Sequence, residues 1–150
     1  MNVRGNKSFL VFSIITIIWV MFIFSFSMQS GEESHQTSGG IVAMVIDILF
    51  PHDFAYVEQL EFCLRKLAHF TEYFVLGILV YLTIRQTTCS KQMLVSMFIC
   101  IAVASCDETI QLFSGGRSGK IADVLLDSIG ALCGCQMNSI WNRFIGSTKR

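Results

Sequence analysis

The sequence predicts an all-α fold, an integral membrane bundle of four transmembrane helices with an interfacial helical segment between helices 1 and 2. Three observations predict it. The 150 residues are 53% hydrophobic and 15% charged, with a mean hydropathy of +0.58, more apolar surface than a soluble domain of this size can enclose. Four separate stretches are apolar over the length a helix needs to cross the hydrocarbon core. The ionisable residues inside those stretches gather at one end of three of them, although each costs about 2.5–3.5 kcal/mol at the centre of an isolated span.

The first span runs from about Phe9 to Phe26 behind Arg4 and Lys7. Its apolar core is longer than the 7–15 residues of a typical signal peptide, so it reads as an anchor; Ser25 and Ser27, small residues placed like a cleavage site, leave a processed signal peptide as the alternative. After a polar turn, Ile41, Met44, Val45, Ile48 and Leu49 repeat at three and four, the pattern of an amphipathic helix lying on the membrane surface. Pro51 ends that helix, and Asp53 caps a short one that carries Glu58 and Glu61 into the second span.

The second span covers roughly Leu67 to Ile84, the third Gln92 to Phe113 and the fourth Ile121 to Trp141. The fourth contains Asp123, Asp127, Ser128, Gln136 and Asn138, so it crosses only if its neighbours shield those groups. Residues 1–150 form a single membrane domain, with no internal repeat. Six cysteines fall mostly in apolar runs without zinc-knuckle spacing and read as small hydrophobes.

Formal net charge is zero, which makes no case for nucleic acid. The distribution of sign is informative instead. With both termini cytoplasmic, four crossings place Arg4, Lys7, Arg85, Lys91, Arg143, Lys149 and Arg150 inside, as short basic loops require. Arg65, Lys66, Arg117 and Lys120 remain outside, and all eleven acidic residues fall on the outer half.

The candidate site follows from helical spacing. Arg65, His69 and Glu72 share one stripe of span two; Asp107 and Gln111 share a face of span three, with Glu108 about 100° further round. On span four Asp123, Asp127, Gly130 and Gly134 make another stripe, whose GxxxG pair admits a neighbouring backbone. The glycine-rich turn from Ser114 to Lys120 folds Arg117 back over the same end, and Gln29 and Ser34 border it from the outer loop. Three polar stripes at one depth predict an extracytoplasmic pocket.

These residues also resemble a family. Arg65-Lys66-Leu67-Ala68-His69-Phe70-Thr71-Glu72-Tyr73, followed by Leu76-Gly77, resembles the RKxAHFxEYxxLG signature of the VanZ-like membrane proteins. Asp107-Glu108-Thr109-Ile110-Gln111, Gly116-Arg117, Asp123, Asp127 and Gly130 are similar to its DExxQxFxxGRxxxxxDxxxDxxG pattern. Phe26-Ser27-Met28-Gln29-Ser30-Gly31 is similar to its FSSQxG stretch, with Met28 in place of a serine. The resemblance spans nearly the whole chain and implies a protein of the bacterial cell membrane associated with glycopeptide (teicoplanin) tolerance.

Several chemistries fit the site. Arg65, Lys66 and Arg117 suit the phosphate of a membrane lipid or a lipid-linked envelope component, with Gln111, Asp123 and Asp127 completing a ligand-binding set. The same cations can instead pair with the acids. In a membrane-embedded hydrolase or transferase, His69, Glu72, Asp107 and Glu108 would be the catalytic acids and bases. A proton-coupled carrier needs polar groups deep in both leaflets, and the inner half offers little beyond Gln136 and Asn138. No cofactor is implied; a divalent cation such as Mg, Mn or Zn would suit the oxygen and imidazole donors, in competition with the neighbouring cations.

Overall fold

The computed structural model describes residues 6–29, 36, 39, 40, 57–114 and 120–147. Four helices follow one another: α1 (Asn6–Ser27), α2 (Val57–Arg85), α3 (Gln92–Phe113) and α4 (Ile121–Ser147). The amphipathic segment expected at Ile41 to Leu49, and its Pro51 and Asp53 punctuation, lie outside the described residues.

Helix α3 occupies the predicted range. Helix α2 begins at Val57, ahead of the apolar stretch that starts near Leu67. The short helix expected to carry Glu58 and Glu61 is therefore the first turns of α2 itself, with no glycine or proline between Val57 and Arg65 to interrupt the backbone ladder.

The outer surface is largely apolar, and several polar and charged side chains are buried within. Phe98, Phe113 and Ile121 are 76%, 87% and 83% exposed, and α1 presents Leu10, Ile14, Ile17, Ile18 and Met21 outward. Ser27, Ser96, Asp107, Glu108, Gln111 and Asp127 are buried. Such an arrangement is stable where the surroundings are hydrocarbon. Three helices are long and apolar enough to cross a membrane, over Lys7–Ser27, Gln59–Arg85 and Gln92–Phe113. Helix α4 falls outside that group because Asp123 and Asp127 interrupt its apolar run; it turns those acids toward its neighbours and Leu125, Ile129 and Ile140 outward.

Helices α2 and α3 each pack against the other three elements, and the most extensive contact joins α2 to α4. Small residues make that contact possible. A Cβ on Gly130 would stand 2.5 Å from the Phe70 carbonyl oxygen, and one on Gly134 or Gly77 would press still closer to the Phe74 or Ala131 carbonyl. Both members of the GxxxG pair thus meet carbonyls spaced four residues apart on α2, and the matching direction of the steps makes α2 and α4 parallel. Cys135 Sγ and Asn138 Nδ2 add hydrogen bonds to the Gly77 and Ile78 carbonyls at 3.3 and 3.2 Å. The apolar core beneath the site is Ile23, Tyr73, Leu76, Val80, Ile84, Cys100, Ala104 and Ala131.

Helix α1 is fastened by polar contacts as well as packing. Trp19 Nε1 donates to the Glu72 carbonyl at 3.0 Å, and the Thr16 and Thr83 hydroxyls bond at 3.1 Å. In a bilayer such bonds supply the association that apolar burial supplies in water.

Replacing Gly134 by alanine tests the α2–α4 contact. In an ordinary helix interior the change would stabilise by roughly 0.5–1 kcal/mol, but here the added methyl meets backbone that cannot rotate away, and overpacking of this kind costs about 1–3 kcal/mol. Thermal unfolding in detergent should therefore show a lower Tm for Gly134→Ala. The control is Gly40→Ala, since a Cβ at Gly40 meets nothing within 4 Å; its Tm should not fall.

Candidate functional site

Parallel packing of α2 and α4 brings their first turns to one end of the bundle. Helix α3 runs the other way and reaches the same end with its last turns, as does α1. On α2 the residues at 65, 69 and 73 lie one above another, so Arg65, His69 and Tyr73 form one stripe. The α3 contribution is Asp107, Glu108 and Gln111, and the α4 contribution is Asp123 and Asp127.

Four of these side chains form one tight group. One ligand atom from each of His69, Asp107, Glu108 and Asp127 lies within 4.8 Å of all the others. Asp107 and Asp127 are fully buried, and Glu108 is nearly so. His69 Nδ1 stands 3.6 Å from Asp127 Oδ1, an ion-pair separation too long for a hydrogen bond.

The surroundings hold two of the carboxylates in place. Asp107 accepts from the Ser27 hydroxyl of α1 through Oδ1 and from Gln111 Nε2 at 3.3 Å through Oδ2. Ser114 Oγ donates to the Ser27 carbonyl at 2.8 Å, fixing the end of α1 against the end of α3. Glu108 Oε2 accepts from the Lys120 backbone N–H at 2.8 Å, so α3 caps the chain entering α4. A negative group at that terminus also favours the helix dipole, as does Asp123 in the first turn of α4.

Lys66 pairs with Asp123 at the rim of the group, with both side chains partly exposed, and its ammonium lies 5.3 Å from the Phe62 ring centroid. Inside, the pairing stops. Among the described residues His69 Nδ1, Tyr73 Oη, Glu108 Oε1 and both oxygens of Asp127 are buried without a hydrogen-bond partner, as is Arg65 Nε.

The structure thus brings His69, Asp107, Glu108, Asp127 and Gln111 together and sets the Lys66–Asp123 pair beside them. Glu72 lies on the same helix but outside the tight group of four, although its charge is within electrostatic reach of His69. Arg117 and Ser34 lie outside the described residues. Two further members of the site, Ser27 and Tyr73, stand inside the quoted FSMQSG and RKLAHFTEY stretches but were not among the expected site residues. The spacing of four from His69 was a usable signal for Tyr73; for Ser27 only the motif was. At the other end of the bundle a cavity of about 360 Å³ is lined by Arg85, Thr87, Thr88, Cys89 and Gln92.

Chemically, this arrangement can hold positive charge. Three carboxylates face one imidazole in a place screened from water, and each brings at least one oxygen or lone pair that the protein leaves open. The imidazole can also hold and pass a proton near neutrality.

The sequence model of the family described as VanZ/LLP1 matches residues 12–142, a stretch that contains every member of this site. No curated protein and no solved structure matches the chain.

The Ser27 hydroxyl is the contact most cleanly tested. Removing a donor to a buried charged acceptor costs about 1.5–3 kcal/mol, so Ser27→Ala should unfold measurably earlier than the parent in detergent. Ser25→Ala should not, because that exposed hydroxyl only returns to the Phe22 carbonyl of its own helix at 2.7 Å. Equal melting of the two variants would show that the Ser27–Asp107 hydrogen bond contributes nothing.

Proposed function

The chain belongs to the VanZ/LLP1 family, and from that premise we propose that it is a four-span protein of a bacterial cell membrane, with both termini cytoplasmic. Its charged site opens toward the outer leaflet, engages the anionic headgroup of a lipid or lipid-linked envelope component, and contributes in this way to glycopeptide (teicoplanin) tolerance.

The observation that carries this reading is Arg65. Its guanidinium sits one turn before His69 at the end of the bundle where the polar groups of all four helices meet, half-buried, with Nε unpartnered among the described residues. A planar donor held at a membrane rim beside Lys66 matches a phosphate oxygen in charge and geometry. The Lys66–Asp123 pair leaves Lys66 committed within the protein, so Arg65, whose buried Nε has no hydrogen-bond partner among the described residues, is the cation of α2's first turns assigned to the headgroup, and Arg117 in the adjoining turn is the second on the reading of the sequence. The basic residues of the opposite end, Arg85 and Lys91, favour the cytoplasmic side. Helix α4 supports the four-span topology, since its two acids are shielded by Lys66 and His69 and its outward face is apolar.

Lipids that co-purify with the full chain test this. A lost charge-assisted contact of about 1.5–3 kcal/mol corresponds to roughly ten- to hundredfold weaker retention. An anionic headgroup class enriched with the parent should drop by that factor in Arg65→Gln and in Arg117→Ala, and persist in Lys91→Gln at the other end. In the host, loss of the protein should lower teicoplanin tolerance and Arg65→Gln should fail to restore it. Identical lipid profiles would overturn headgroup recognition, and unchanged tolerance would overturn the resistance role.

A further inference from the structure

We propose that His69, Asp107, Glu108 and Asp127 form a binding site for one first-row divalent cation, Mn2+ or Zn2+, inside the bundle. The inference goes beyond headgroup recognition and does not depend on it.

The donors come from three helices, with ligand atoms mutually within 4.8 Å. Two ligands at about 2.1 Å from a common ion stand about 3.4 Å apart in tetrahedral geometry and at most about 4.2 Å apart when opposed, so closing on an ion draws the outermost donors together by roughly half to one and a half ångströms. The set also has an outer shell. Ser27 and Gln111 orient the Asp107 carboxylate, and the Lys120 amide orients Glu108 through one oxygen while Oε1 stays open. Supporting donors of this kind keep ligating carboxylates in position.

An independent observation asks for an occupant. Asp127 is 0% exposed and neither of its oxygens has a hydrogen-bond partner; beside it Tyr73, also 0% exposed, has an unpartnered hydroxyl and lies within electrostatic reach of Asp107, Asp127 and Glu108. Buried polar atoms in native proteins are satisfied by protein, water or ions. Three carboxylates against one imidazole also leave negative charge that a buried site must neutralise.

Lys66, whose charge is within electrostatic reach of Asp127, is taken by Asp123, outside the four donors. One imidazole with three carboxylates favours Mn2+ or Zn2+ over the all-oxygen preference of Ca2+ and Mg2+.

The test uses the full chain in detergent, stripped with chelator and then equilibrated with Mn2+, Zn2+, Mg2+ or Ca2+ alone. Because six cysteines also attract Zn2+, the primary readouts are Mn2+ paramagnetic resonance and elemental analysis, alongside thermal unfolding. About one Mn2+ per chain should bind and raise the Tm, with Ca2+ weaker by tenfold or more. Asp127→Asn should abolish binding. Glu108→Gln keeps an acceptor for the Lys120 amide, so it should fold like the parent while binding at least tenfold more weakly; it serves should Asp127→Asn not fold. Binding below a tenth of an equivalent, binding unchanged in Glu108→Gln, or a Tm that follows pH and ignores every metal would each overturn the proposal, the last by making protons the occupant.

Discussion

The close approach of α2 and α4 through Gly77, Gly130 and Gly134 is the constraint on which the remaining architecture depends. It acts through register. Gly130 meets the carbonyl of Phe70, the residue after His69, and Asp127 precedes Gly130 by three on the same helix, so fixing the backbone contact fixes the imidazole opposite the carboxylate. A side chain at any of these three glycines would push the helices apart and separate His69 from Asp127 before any electrostatic interaction could act. Packing of this kind transmits displacement because close-packed interiors do not yield continuously. The charged group is therefore placed by steric fit, and its charge is a consequence that the surroundings must accommodate.

That accommodation explains the inverted distribution of polarity. In hydrocarbon, two apolar faces gain little by meeting, so helix pairing is decided by close backbone contact and by polar groups that have nowhere else to bond. The second kind decides where α1 and α3 sit. Ser27 reaches Asp107, Ser114 reaches back to Ser27, Trp19 reaches the Glu72 carbonyl and Thr16 meets Thr83. Each bond crosses between helices, and together they tie α1 to both central helices along its length. The buried polar residues thus do two jobs, orienting the site and specifying which helix lies against which.

Periodicity made the separate stripes legible and could go no further. Spacing of three and four put Arg65 and His69 on one face of α2 and Asp123 and Asp127 on one face of α4, and the GxxxG pair announced a close neighbour. The range of α3 followed from an apolar run from Met93 to Cys106, broken only by Ser96 and Ser105, and from the Ser114-Gly115-Gly116 turn that closes it. Spacing does not say how one helix is rotated against the next. It gave no reason to prefer Asp127 over Glu72 as the partner within the tight group, or Asp123 over Asp107 as the partner of Lys66. Those choices depend on the α2–α4 register, which resides in backbone contacts. Ser27 was hidden for a related reason: a single serine at the end of an apolar helix looks like a boundary residue until the end of α3 is set against it. Helix α2 extends ahead of the apolar stretch at Leu67 because hydropathy marks where lipid contact begins, whereas a helix with no breaking residue continues past that point.

Helix α4 links the site to the topology proposed for the chain. Two aspartates in one span would cost about 5–7 kcal/mol if each met lipid at the translocon value, a penalty the apolar face of Leu125, Ile129 and Ile140 opposes without a wide margin. Lys66 and His69 lie on the helix against which α4 packs most closely. A segment too polar to rest alone in hydrocarbon can rest there once those partners are supplied. In the four-span reading, seating α4 and assembling the charged group are therefore one event: the helix is held in the membrane by the same contacts that bring Asp127 to His69. Substitutions that neutralise Asp123 or Asp127 relieve the insertion cost while dismantling the site, and substitutions of Lys66 or His69 do the reverse, leaving acids on α4 that only another cation can compensate.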